Sequence, residues 1–180
     1  MAVKADTLVG RLSLAALLAS LAAGSYALTV CVAPAEAKAY APAAGGTGSP
    51  IGYLVSGCMG GLFDAGHVAT DESPARVDRD DWGSGDYALS GAREGSVDFV
   101  IALYVGWTPS SIHKDTLLPA SVDYRLVRVL DGKVVAEGSI PGSADSEDAS
   151  SHEARTASRA GASAAEACLR KLSAIAMGGE

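Results

Sequence analysis

Val97-Asp-Phe-Val-Ile-Ala-Leu-Tyr-Val-Gly-Trp107 decides the fold. Val97, Phe99, Ile101, Leu103, Val105 and Trp107 alternate onto one face of a strand, and Val100, Ala102 and Tyr104 supply the other. A strand apolar on both faces belongs in the middle of a sheet that is covered on both sides. Two further strand-like runs follow, Val122–Leu130 and Lys133–Ile140, joined by Asp131-Gly132. An Asp-Gly link reads as a hairpin, because both residues tolerate positive φ.

Upstream of the central strand, Ser49-Pro50 opens an amphipathic helix: serine caps free amides and proline fits the first helical position. Ile51, Leu54, Val55, Cys58, Met59, Leu62 and Phe63 recur at three- and four-residue steps, a core-facing stripe that Gly66 closes. That spacing predicts Met59 and Phe63 as core residues. Leu28–Ala33 reads as a buried strand stopped by Pro34, and Ala35–Gly48 as an Ala/Pro/Gly-rich flexible loop. His67–Asp71 is a short strand, Glu72–Gly85 a polar acidic loop, and Asp86–Glu94 a second helix ended by Gly95.

The chain finishes in a long helix, about Ser151–Met177, with capping-box spacing at Ser150 and Glu153. Its face of Ala154, Ala157, Gly161, Ala165, Cys168, Leu172 and Ile175 is small enough in its first half to lie close against the sheet. The order β-α-β-α-β-β-β-α predicts one α/β domain, a mixed five-stranded sheet covered by helices, over residues 28–180.

Residues 1–27 have the order of a secretory signal: Lys4 and Arg11, an apolar run from Leu12, then small residues at Ser25 and Ala27. Cleavage after Ala27 fits this, and cleavage after Ala37 fits the same small-x-small pattern but discards the first strand. Leu12–Ala33 is also long enough to stay as an uncleaved anchor, with Lys4 and Arg11 holding the N-terminus in the cytoplasm. A lipid on Cys31 is a fourth reading, opposed by Val30, which is too large for a lipobox. All of these export the domain to the periplasm or envelope.

The formal charge is −7; Lys4, Asp6 and Arg11 carry a net +1 of it, so the chain after Ala27 holds −8. With no basic stripe, such a domain repels the phosphates of nucleic acid and of anionic lipid. The three cysteines, Cys31, Cys58 and Cys168, lack metal-ligand spacing and read as small buried side chains whose disulfide pairing is open. His67, His113 and His152 have no partner at ligand spacing.

Asp78-Arg-Asp80-Asp81-Trp-Gly-Ser-Gly-Asp86 is the best candidate for a metal, with Asp78, Asp80 and Asp86 as ligands to calcium. It fails the EF-hand pattern at Trp82 and Leu89. Trp82 and Trp107 are candidate anchors for a protein partner. No nucleophile elbow or phosphate loop is present; Ser56-Gly57-Cys58 and Gly57-Cys-Met-Gly-Gly61 lie inside the first helix, where the glycines suit close helix packing.

Several of these segments carry a resemblance. Thr29-Val-Cys-Val-Ala-Pro34, Leu62-Phe-Asp-Ala-Gly66, Ala92-x-x-Gly95-x-Val97-Asp-Phe-Val-Ile101, Tyr124–Ala136 and the alanine-spaced last helix resemble envelope domains related to the TolB amino-terminal domain. The curli-secretion lipoprotein CsgG and the LpoB-type activators of penicillin-binding proteins contain the same kind of domain. The resemblance spans Leu28–Met177 and implies a non-catalytic envelope protein that binds other proteins; for this chain the expected partners are envelope proteins, a second copy of itself among them, with no cofactor. The chain departs from it in lacking a lipobox, a β-propeller and pore-forming insertions, and no functional residue transfers by position. The other reading of the sequence is a periplasmic protein that binds calcium or a small ligand through the 78–86 loop.

Overall fold

A computed structural model describes residues 27–37, 49–84, 86–110, 116–142 and 153–176. Its elements are β1 (Thr29–Ala37), α1 (Pro50–Asp64), β2 (Val68–Asp71), β3 (Ala75–Val77), α2 (Arg79–Ser84), α3 (Asp86–Glu94), β4 (Phe99–Pro109), β5 (Leu117–Arg128), β6 (Lys133–Pro141) and α4 (Glu153–Ala176). The sheet runs β2-β1-β4-β5-β6, with β3 also on β1. β1 is parallel to β2, β3 and β4, and the β4-β5-β6 meander is antiparallel. The expected mixed α/β sheet is therefore present, with β3 and α2 added where the acidic 72–85 loop was expected.

β4 is buried on both faces, as its sequence requires. Phe99, Ile101, Leu103, Val105 and Trp107 join Val30 and Val32 in a core closed by α1 and α4. Val100, Ala102 and Tyr104 join Cys31, Ala33 and Ala35 in a second core closed by Trp82 of α2 and by Ala88, Leu89 and Ala92 of α3. The result is three layers, helices on both sides of the sheet.

Proline 34 does not stop β1; the strand continues to Ala37. The Glu72 N–H donates to Val32 O, which places even-numbered backbone groups of β1 on the β2 side. Pro34 then faces the interval between β2, which pairs through Val32, and β3, which pairs from Ala35. Its missing N–H falls where no strand asks for one. Thr29 opens β1, so the strand takes its residues from the Leu12–Ala33 anchor reading, and cleavage after Ala37 would remove a strand with three neighbours.

The turn between β5 and β6 is also longer than expected. Arg128 pairs with Lys133, leaving four residues, Val129–Gly132, outside the ladder. Only Gly132 takes positive φ, at 70°, and its N–H donates to Arg128 O at 2.9 Å. Asp131 accepts from the Arg128 side chain at 2.7 and 3.1 Å and from Lys133 N–H at 3.1 Å.

Ser49 caps α1 as expected, its Oγ accepting from Gly52 N–H at 3.2 Å. α4 lies against β5 and β6 as expected, and its small residues also bring it close against α1. A Cβ on Gly161 would sit 1.9 Å from Leu54 O, and one on Gly57 would sit 2.0 Å from Ser158 O. Backbones this close need glycine at the crossing. Ser150 of the capping box lies outside the described residues.

Candidate functional site

Proline 34, which leaves the β2–β3 interval unladdered, also opens onto a cleft of about 810 Å³. One wall is the outer face of α1, with Tyr53, Ser56, Met59 and Phe63; the opposite lip is Asp71-Glu72-Ser73-Pro74, the link from β2 to β3. Phe63 is 53% exposed and is not the core residue that the helical spacing predicts, whereas Met59 is partly buried and packs against the first core as well as lining the cleft. α1 is apolar on more than one side: Leu54, Cys58 and Leu62 fill the core, and Phe63 is left to the cleft.

The polar side of the cleft is acidic. Asp71 and Glu72 are both exposed on the lip. Glu72 leans over α3, its carboxylate occupying the space that a side chain at Gly91 would take. At the same end of the sheet Glu36 is buried on β1 beside Arg76 of β3. Burial holds its carboxyl above the ordinary 4.5, and the Arg76 charge only partly offsets this.

Trp82 lies elsewhere and is 5% exposed, not available as a surface anchor. Its ring stands 5.6 Å from that of Tyr104, and the Arg125 guanidinium covers it at 4.8 Å. Arg125 also donates to Gly83 O and pairs with Glu137 at 3.2 Å. Arg79 pairs with the buried Asp123 at 2.6 Å and lies 5.6 Å from the Tyr104 ring. Two arginines stacked on two rings thus close the second core, a cation–π arrangement favoured where water is excluded. Trp107 is likewise buried, in the first core.

Asp78 and Asp80 are exposed at the start of α2, and Asp86 begins α3, its side chain outside what is described. Among the described residues no three His, Cys, Asp or Glu side chains gather as a metal set. His67 is structural, its Nδ1 accepting from Leu28 N–H at 3.3 Å; His113 and His152 lie outside the described residues. All three cysteines are free and buried. Burial raises the Cys31 and Cys168 thiols and pushes Cys58 up to about 12, so none is a reactive thiolate at neutral pH. Cys31 sits inside β1, where an acyl chain on its sulfur would have to displace the second core.

The cleft was not evident in the sequence. Its one signal is Phe63, at the trailing edge of a stripe already wide enough to bury α1, followed by an acidic segment that returns beside it.

Fold and cleft define a three-layer α/β domain built on a mixed sheet. No family model matches the chain, and no curated protein matches it. Solved structures similar to it include a PelC dodecamer from Paraburkholderia phytofirmans, at 19% identity and TM-score 0.42 over 76% of this chain and 86% of that one. Lipoprotein GNA1162 from Neisseria meningitidis matches at 19% identity and TM-score 0.37, over 63% of this chain and 80% of that one. TolB from Acinetobacter baumannii matches at 12% identity and TM-score 0.40, over 82% of this chain and 29% of that one.

Proposed function

We propose that the chain is an exported envelope protein without catalysis of its own, which works by holding a segment of another envelope protein in the α1–β2 cleft. The observation that carries this reading is Phe63, a large apolar side chain left half in water on the wall of a cleft. Tyr53 and Met59 extend the apolar wall, while Asp71 and Glu72 form an acidic lip. That combination suits an apolar segment flanked by lysine or arginine: the wall supplies affinity and the exposed Asp71 carboxylate supplies register. The export signal supports a partner in the envelope.

A photo-reactive amino acid placed at Phe63 in the full-length protein tests this in cells. One dominant protein adduct is expected, lost when Met59→Asp is added, and absent when the same probe replaces the exposed Ser90 of α3. Adducts at position 63 no stronger than those at position 90 would overturn the proposal.

A further inference from the structure

The two edges of the sheet differ. One is made of short strands, β2 with four residues and β3 with three, both paired to β1. The other is β6, nine residues long, and among the described residues no strand lies beyond it. A long open edge is a template for another strand unless the sequence blunts it. β6 is blunted at its ends. Lys133 and the extra residue Val135, where the β5–β6 register shifts, guard one end, and Pro141 guards the other.

The ladder fixes which backbone groups between them face outward. Gly142 N–H donates to Ala120 O at 2.8 Å, so the even-numbered residues from Ile140 back to Ala136 face β5. Glu137 and Ser139 therefore turn their N–H and C=O groups away from the sheet, and Pro141, on the same side, has no N–H to offer. The open window is Ala136-Glu-Gly-Ser-Ile140, centred on Gly138. Its own domain keeps that centre bare: a Cβ at Gly138 would meet the Tyr124 hydroxyl at 2.6 Å. No side chain at the midpoint holds off an approaching backbone.

The window is complementary to itself. Two copies laid antiparallel about a two-fold axis at Gly138 set Glu137 opposite the partner's Ser139, and Ala136 opposite the partner's Ile140. Glu137 and the partner's Ser139 then exchange both bonds of a hydrogen-bonded pair, and the symmetry repeats them. An axis at Glu137 would set like charges opposite each other, and an axis at Ser139 would set Glu137 against a proline that donates no bond. Charge favours this place for a second copy. An acidic domain repels its own kind, but the one carboxylate of the window, Glu137, is already paired with Arg125 at 3.2 Å.

We propose that β6 pairs with β6 of a second copy, antiparallel about Gly138, and joins the two sheets into one. So short a contact is reversible and depends on concentration. The cleft lies along α1 and the β2–β3 link, at the other edge of the sheet, so the dimer leaves both clefts open and stands apart from what they bind.

The test expresses differently tagged full-length Glu137→Cys and Ser139→Cys chains in the same cells and adds a mild thiol oxidant. The native cysteines are buried and do not compete. A mixed disulfide dimer is expected, because the pairing sets 137 opposite 139. Either variant alone should cross-link several-fold less, since its two cysteines lie on a diagonal of about 7–8 Å, too far for a disulfide. Ser139→Pro removes an N–H that faces away from β5, so it should keep the wild-type melt yet lose the concentration-dependent dimer that wild-type protein shows in sedimentation velocity. The cross-link comparison decides the matter alone where the proline variant fails to fold. Cross-linking of the mixture no stronger than of the single variants would overturn the proposal. So would adducts to another protein in place of the dimer, or wild-type protein that sediments as a monomer at every concentration.

Discussion

Replacing Gly161 with alanine probes the close crossing of α1 and α4. The added Cβ would lie 1.9 Å from Leu54 O and 2.9 Å from Cys58 N. Ordinary contact begins near 3.4 Å, so α1 and α4 must separate by about 1.5 Å at the crossing. The obstacles are backbone atoms of a helix and cannot rotate aside. Overpacking costs about 1–3 kcal/mol, and a backbone obstacle places this case at the upper end. Alanine recovers about 1 kcal/mol of helix propensity, which leaves a net loss of about 2 kcal/mol. Gly60→Ala makes the same chemical change within α1 with nothing within 4 Å of the new atom. It should stabilise by about 0.5–1 kcal/mol. In thermal melts followed by circular dichroism, Gly161→Ala should lower Tm by about 4–8 °C and Gly60→Ala raise it by about 1–4 °C. Gly57→Ala, which meets Ser158 O at 2.0 Å, should match Gly161→Ala, and the double variant should lose less than the sum, since one separation serves both. A Gly161→Ala protein that melts at or above the wild-type temperature would refute the close crossing.

Glu36→Gln should flatten part of the pH dependence of stability. The folded state holds the Glu36 proton more tightly than the unfolded state, so stability falls as pH rises from 4.5 through the raised folded value; urea midpoints across that window should show the glutamine variant without this decline, and an unchanged slope would count against it. Trp82→Ala should cost about 3–5 kcal/mol in urea unfolding, because its ring is core between Tyr104 and Arg125; a loss below about 1 kcal/mol would return Trp82 to the surface. Ser96 takes φ 53° in the turn before β4, so Ser96→Gly should leave stability unchanged or raise it by up to about 1 kcal/mol, and a clear loss would show that its side chain holds the turn.

Local pattern made the layers legible and left the site obscure. The β4 alternation, the Ser49 cap and the α1 stripe are each decided within a dozen residues, and each appears in the structure close to its expected bounds. Pro34 was misread because its local effect, a missing N–H, matters only if a neighbour asks for that donor, and the β2–β3 interval is set by residues about forty positions away. Trp82 was misread for the same kind of reason: Asp78–Asp86 is polar in sequence, but its tryptophan is needed to cap a core made by β1, β4 and β5. The turn at Val129–Gly132 lengthened because Arg128 and Asp131 bind each other, an interaction the Asp-Gly pair alone does not announce. Phe63 looked like core because a helical stripe records which side chains are apolar, not how many of them the sheet can cover.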